Sequence, residues 1–260
     1  MTSPSPPRAL HAEHDRWERL ARDPYYAVLN VEEHRDGRMT DGDRERFARS
    51  GVEDMDRTFD EIRRWIAPGF APRRAVDFGC GVGRLTIPIA RVAEHVTGID
   101  ISQAMLDEAR RNCESSGIAN AAFVSSDAYF GGFDAERDAV DFVHSYIVFQ
   151  HMSPEAGMWV ADALVHRLAP GGVGALHFTY GRKASPLRLV VNRLRRLVPG
   201  VNAIVNRIQR RPLSEPLIPM NAYNLGDLHA MLAERGCTHV HARLTDHGGH
   251  LGAMLLFQKP

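Results

Sequence analysis

Cysteine is scarce in this chain. The three present, Cys80, Cys113 and Cys237, have neither paired nor CxxC spacing, which argues against a disulfide framework and against a structural zinc site and suits a reducing cytoplasm. Charge of one sign is also missing, since 32 Lys and Arg balance 32 Asp and Glu. No net charge therefore draws the protein to nucleic acid, and no nucleic-acid partner is expected. No apolar run reaches transmembrane length, and residues 1–7, rich in Ser and Pro, contain no apolar h-region of a secretory signal. A cytoplasmic protein is expected, with a membrane partner disfavoured. Acid is locally absent as well: from Ala163 to Ser214 there is no Asp or Glu, while Arg182, Lys183, Arg188, Arg193, Arg195 and further arginines accumulate.

What is present, and most informative, is the stretch Ala75-Val76-Asp77-Phe78-Gly79-Cys80-Gly81-Val82-Gly83-Arg84-Leu85. Its first residues read as a strand, and its glycines as a turn where the backbone bends sharply and a ligand can lie against it. A dinucleotide fingerprint GxGxxG needs a small residue at position 84, where Arg84 stands. That departure argues against NAD or FAD. The next strand, His95 to Asp100, ends in an acid at the distance of a ribose-binding carboxylate. Asp100 can accept hydrogen bonds from both ribose hydroxyls.

The segment Val76 to Gly83 and the run Gly98-Ile99-Asp100-Ile101-Ser102 with Met105 resemble the motifs of class I S-adenosylmethionine-dependent methyltransferases. The resemblance covers residues 73–260, and is strongest through Asp141. It implies an α/β fold, a Rossmann-like seven-stranded sheet in the order 3-2-1-4-5-7-6, with an N-terminal helical cap and a helical lid insertion. It also implies S-adenosylmethionine as cofactor. Gly79, Gly81 and Gly83 would pass beneath its methionine part, Asp77 would help hold its amino group and Asp100 its ribose. Asp127 and the backbone of Ala128 would read the adenine, with Ile101 and Met105 completing the cofactor-binding set.

Taken in order, the chain divides at residues 1–70 (tail and helical cap), 71–180 (cofactor-binding core), 181–222 (lid insertion) and 223–260 (the rest of the core). In the cap, Trp17 and Leu20 anchor a short helix from His11 to Arg22, and Tyr25 and Tyr26 either close over a ligand or pack the cap onto the core. A polar loop from Glu32 to Asp43 precedes a helix from Val52 to Ile66, in which Val52, Met55, Phe59, Ile62 and Ile66 recur at helical spacing and mark a core face. Further helices are expected over Arg84–Val92, Gln103–Ser116, Pro154–Leu168 (capped by Ser153) and Leu225–Arg235. Strands are expected over Ala122–Ser125, Ala139–Ser145, Val173–Tyr180, Thr238–Leu244 and Gly252–Phe257. Between the last two lies the loop Asp246-His247-Gly248-Gly249-His250. In the lid, Leu187, Val190, Val191, Leu194 and Leu197 and then Ile204, Val205 and Ile208 predict two amphipathic helices, and apolar lid helices of this kind favour a homodimer.

Ligands of open α/β sheets lie off the carboxyl ends of the strands, so residues 144–146 are expected to face the reacting methyl group. His144 and His151 are the two candidates for a catalytic base, because an imidazole with a pKa near 6.5 is largely neutral in the cytoplasm and accepts a proton. Tyr180, Asn221, Tyr223 and His250 are candidate substrate-binding residues. Asp246, His247 and His250 form a candidate divalent-metal (Mg) set, although no compact ligand motif such as HExxH occurs. The expectation is an O-methyltransferase acting on a hydroxyl of a small polar metabolite, a sugar or oligosaccharide such as a mannoside, in line with a general likeness to actinobacterial methyltransferases of glycan and natural-product pathways. The alternatives are N- or C-methylation of a secondary metabolite and a membrane-surface methyltransferase that uses the basic lid.

Overall fold

Alternating short β-branched runs and amphipathic segments build one sheet with helices on both faces. A computed structural model describes residues 9–29, 35, 37–131, 139–183, 191, 194, 195, 198, 200–208, 211–213 and 215–260. The strands are β1 (Arg74–Phe78), β2 (His95–Asp100), β3 (Ala121–Ser125), β4 (Val140–Ser145), β5 (Leu168–Arg182), β6 (Val240–His247) and β7 (His250–Gln258). They form a seven-stranded sheet in the order β3-β2-β1-β4-β5-β7-β6, as the resemblance implies. β1 to β5 pair in parallel, whereas β7 runs antiparallel to both β5 and β6. β1 and β4 are buried at almost every position, as parallel strands covered on both faces must be.

Two helical layers sandwich the sheet. On one face lie α7 (Pro154–Arg167) and α9 (Leu225–Glu234), whose Val160, Leu164, Leu228 and Leu232 pack on Val76, Val143 and Leu176. On the other, α3 (Asp41–Trp65) and α4 (Thr86–Ala90) set Met55, Phe59, Ile62 and Ile89 against Val96, Phe142 and Leu256. The remaining helices are α1 (Ala9–Leu20), α2 (Pro24–Leu29), α5 (Gln103–Ser115) and α6 (Ser126–Gly131), with α8 (Val201–Ile208) between β5 and α9. α1 and α2 gather with α5 around a third cluster of Leu20, Tyr25, Ala27, Val82 and Met105.

Several boundaries differ from expectation for identifiable reasons. α3 begins eleven residues earlier than Val52, because Thr40 and Asp43 form a capping box: Thr40 Oγ1 accepts from Asp43 N and the Asp43 carboxylate accepts from Thr40 N. Glycine 51 inside it is required by contact, since a Cβ there would lie 2.3 Å from the Arg84 carbonyl oxygen. The helix after the glycine turn spans only Thr86–Ala90 rather than Arg84–Val92. β6 and β7 extend to His247 and His250, so the expected five-residue loop shrinks to Gly248 and Gly249, whose φ values of +62° and +88° suit a two-residue hairpin of type I′. In the segment expected to form a lid, α8 leaves Ile204 and Ile208 largely exposed, while most of the other expected helix there, and residues 132–138, lie outside the described residues. Among the described residues no helix is long and apolar enough to cross a membrane.

Candidate active site

The order of the sheet reverses between β1 and β4, and a cavity of about 340 Å³ opens there, off the carboxyl ends of the strands. Its floor is the turn Phe78 to Val82. Asp100, Ile101 and Met105 wall one side, Tyr146, Ile147 and Val148 another. The helices α1, α2 and α3 roof it with Trp17, Val28, Leu29, Phe47 and Ser50.

The turn is shaped by strain that only glycine tolerates. Gly79 and Gly81 have φ of +72° and +52°, and a Cβ on Gly79 would sit 2.2 Å from Val148 Cγ2. Gly81 N then donates to Asp100 Oδ2 (2.9 Å), and Ser102 N to Asp100 Oδ1 (3.0 Å). Each carboxylate oxygen is thus fixed by one backbone N–H and retains a lone pair for a ligand. Burial pushes the Asp100 carboxyl above its ordinary range, against the pull of those backbone N–H groups.

Asp77 reaches the cavity too, but its oxygens are already engaged. Oδ2 accepts from Thr86 Oγ1 (2.6 Å), and Oδ1 lies 2.8 Å from His144 Nδ1. His144 is buried and does not line the cavity. Of residues 144–146 it is Tyr146 that faces the ligand space, because the chain leaves the strand after Ser145. The geometry therefore gives His144 a bracing position rather than contact with a substrate. His151 does stand on the wall, edge to face with Trp17 at 5.2 Å. Its Nδ1 donates to the Pro219 carbonyl (3.0 Å), its Nε2 lies 3.2 Å from the Gln150 side-chain amide, and burial lowers its pKa to about 4. This is a neutral ring with both nitrogens occupied, a poor proton acceptor.

Other expected site residues fall outside the cavity. Gly83, at φ +84°, packs on Ala109 of α5 instead of facing the ligand. Asp127 is exposed, and Ala128 N donates to Ser125 Oγ (3.3 Å), leaving Ser126 to line the cavity in their place. Asn221 Nδ2 donates to the Met152 carbonyl (2.7 Å) and Tyr223 Oη to that of Phe149 (2.8 Å), so both tie the chain entering α9 to the segment just before α7. Tyr180 packs on the core cluster around α7, and His250 pairs with Arg182 across β5 and β7. The Asp246, His247 and His250 set does not converge: Asp246 is held by Lys183 Nζ (2.9 Å) and Gly249 N (2.7 Å). Among the described residues no group of three or more His, Cys, Asp or Glu is placed to hold a metal.

The roof leaves no distinct mark in the sequence. Trp17 and Phe47 have the same spacing as core residues, and only the crossing of α1 and α3 over the turn turns them into ligand walls. Arg84 is likewise a wall residue, held by Asp54 (2.8 Å) and Ser50 Oγ (3.2 Å) of α3. Tyr25 and Tyr26 dock the cap: Tyr25 Oη donates to Asn112 Oδ1 of α5 (3.0 Å) and Tyr26 Oη to Glu215 (3.0 Å). Glu215 also pairs with Arg35 at 2.6 Å and Arg211 at 3.3 Å.

The donor set fits S-adenosylmethionine: a side-chain-free turn where a thioether chain can lie, a carboxylate with spare acceptors for a ribose diol, and apolar Ile101 and Met105 beside it. The fold is the one that class I, S-adenosylmethionine-dependent methyltransferases share. Residues 75–172 match the family described as methyltransferase domain. Over 67 residues the chain is 40% identical to an uncharacterized RNA methyltransferase of Thermosynechococcus vestitus, a match covering 26% of this chain and 15% of that protein. The chain thus spans about 15% of the length of the curated relatives it matches. Magnesium protoporphyrin IX methyltransferase (ChlM) of Synechocystis PCC 6803 with bound S-adenosylmethionine shares the fold, with a TM-score of 0.60 at 17% identity over 99% of this chain and 100% of that one. So does the N-terminal domain of EvdMO1, solved in the presence of S-adenosylhomocysteine and D-fucose, with a TM-score of 0.53 at 16% identity over 81% and 83% of the two chains.

Proposed function

We propose that the protein is an S-adenosylmethionine-dependent O-methyltransferase whose acceptor is a hydroxyl of a small polar metabolite, a sugar or oligosaccharide. The observation that carries the cofactor reading is Asp100, whose two oxygens are each pinned by a backbone N–H beside the glycine turn and face the cavity. Bound there, S-adenosylmethionine supplies an electrophilic methyl group on a sulfonium. The protein's part is to position and to exclude water. Asp100 orients the ribose end, Gly79 and Gly81 let the backbone approach, and the roof of Trp17, Val28, Leu29 and Phe47 closes the chamber. Alignment of this kind supplies on the order of 7–11 kcal/mol in favourable cases. His151, a neutral ring beside Trp17, contributes shape to the acceptor wall.

The sugar reading no longer rests on Tyr180, Asn221 or Tyr223, which face elsewhere. It rests on a polar recess that shares Arg84, Tyr146 and Ile147 with the cavity and adds Asp54, Arg57, Arg243 and His247. The fucose present with EvdMO1 is in keeping with an acceptor of this class. A mannoside is one such acceptor. The apolar roof favours a second reading, N- or C-methylation of a less polar secondary metabolite. A panel of glycosides, amines, phenols and RNA incubated with methyl-labelled S-adenosylmethionine separates them: label in glycosides alone supports the proposal, and label only in amines, phenols or RNA contradicts it.

A further inference from the structure

We infer that Tyr146 and His247 form the proton-accepting pair for the acceptor hydroxyl, and that the recess behind them holds the rest of the acceptor. The inference rests on the O-methyltransferase reading and deepens it.

Tyr146 is one of three residues bordering both spaces, the cavity of about 340 Å³ and the recess of about 530 Å³. Its Oη lies 3.3 Å from His247 Nε2, at the tip of the β6–β7 hairpin. The rings of Tyr146, His247 and His177 pack mutually, with centroids 5.0 to 5.7 Å apart. His177 Nε2 is in turn bonded to Thr245 Oγ1 (2.8 Å), which fixes that ring as a wedge beneath the pair. The residue following Tyr146 is strained: Ile147 has φ +59°, the one positive value outside glycine among the described residues. A β-branched side chain in that region costs on the order of 1–3 kcal/mol. The strained turn sends Tyr146 towards the hairpin while Val148 stays on the cofactor side. Strain of this kind persists where surrounding structure over-determines it, and here it sets the one phenol that spans both chambers.

The recess tells what it would take. Asp54 bridges Arg84 (2.8 Å) and Arg57, and Arg243 is paired with Glu61 (2.8 Å). Each of its arginines thus has a carboxylate partner, Asp54 serving two of them, so the guanidinium groups are engaged by the protein before any ligand arrives. Carboxylates that accept, guanidinium groups that donate and a phenol at the edge are the donor and acceptor types that match adjacent hydroxyls of a polyol.

The proton path is short. As the acceptor oxygen gives a lone pair to the methyl carbon and the carbon–sulfur bonding pair stays on sulfur, the hydroxyl proton passes to Tyr146 Oη. The proton that Tyr146 held goes to His247 Nε2. The groups facing His247 are Asp54 and Asp246, which favour the imidazolium, Arg84, which opposes it, the rings of Tyr146 and His177, and His250, its partner across the hairpin. Burial keeps the His247 pKa below its ordinary value, so the ring is unprotonated at neutral pH, and the two carboxylates are what favour the imidazolium that the step forms.

The test uses the full chain with Tyr146→Phe, His247→Gln and the double variant. Calorimetry with S-adenosylhomocysteine establishes fold and cofactor binding, methylation of a glycoside panel gives kcat and KM, and NMR follows the His247 imidazole through pH. The inference expects unchanged S-adenosylhomocysteine affinity, kcat lowered about 100-fold or more in each single variant, no further loss in the double variant because the pair acts as a unit, and a moved His247 titration in Tyr146→Phe. Unchanged kcat in either variant, or an unmoved titration, overturns it while the methyltransferase reading stands. A wild-type protein that binds S-adenosylhomocysteine but methylates no hydroxyl compound overturns the O-methyl reading and the pair with it, and one that binds no S-adenosylhomocysteine overturns the cofactor reading as well.

Discussion

His144 Nδ1 lies 2.8 Å from Asp77 Oδ1, with the two side chains only 1% and 3% exposed. Parallel pairing of β1 and β4 places these residues opposite each other, and Thr86 completes the group from the start of α4. The three side chains brace the glycine turn from below, linking both strands that flank the switch point to the helix that follows. His144→Ala removes one hydrogen-bond partner of the buried Asp77 side chain, which typically costs about 1–3 kcal/mol. Urea unfolding should show a loss of that order, with weakened S-adenosylhomocysteine binding. A stable variant with intact affinity and a collapsed kcat would restore His144 as a catalytic base.

The glycine turn makes a sharper demand. Gly79→Ala combines a side chain at φ +72° with a Cβ 2.2 Å from Val148 Cγ2. The substitution should lower the melting temperature and abolish S-adenosylhomocysteine binding, and adding Val148→Ala should recover part of the stability by relieving the clash while the backbone strain remains. Recovery to the wild-type value would show that φ at position 79 carries no cost.

Acid sensitivity follows from buried neutral histidines. Burial, helped by His247, lowers the His177 pKa from 6.5 to about 3. The unfolded chain therefore takes up a proton below pH 6.5 that the folded chain refuses. Stability from this residue is complete above pH 6.5 and declines as the pH falls from there towards 3, with His151 adding a decline that ends near 4. Between roughly pH 7.5 and pH 5 His177 alone accounts for about 2 kcal/mol. His177→Gln, which retains a partner for Thr245 and takes up no proton, should flatten the pH dependence of urea unfolding by about that amount. An unchanged slope would place the acid sensitivity elsewhere.

The cap is fastened to the segment between α8 and α9 by one carboxylate. Glu215, 10% exposed, holds Arg35 at 2.6 Å, and it also accepts from Tyr26 Oη (3.0 Å), while burial raises the Tyr26 pKa to about 12. Glu215→Ala should loosen α2 and speed release of S-adenosylhomocysteine about 10-fold, on the order of 1.4 kcal/mol at equal association rate. Hydrogen exchange in α2 and stopped-flow dissociation check it, and unaltered rates in both would mean that the latch does not hold the roof.

Legibility in the sequence followed locality. Asp100 and the glycine turn were readable because strand, turn and acid lie within 26 residues, Ala75 to Asp100, and their roles follow from backbone geometry. The start of α3 was also written locally, in Thr40 and Asp43, but with Asp where a capping box more often has Glu or Gln. His144 shows the limit: strand periodicity places a side chain on a face, but whether it meets a ligand or a buried carboxylate depends on the neighbouring strand. Trp17 and Phe47 were harder, because an apolar stripe reads alike on a core and on a cavity roof. Asn221 and Tyr223 carry polar groups suited to a substrate, yet their partners are backbone carbonyls some 70 residues away in sequence.

All of these assignments depend on a nucleoside seated against Asp100. Isothermal titration calorimetry of the full chain with S-adenosylhomocysteine, set beside Asp100→Ala, tests that directly. The account predicts one-to-one binding by the wild type and a loss of at least about 100-fold in the variant, as expected when charge-assisted hydrogen bonds of about 1.5–3 kcal/mol each are removed. A folded wild-type chain that takes up no S-adenosylhomocysteine, or a variant that binds it equally well, would contradict the account.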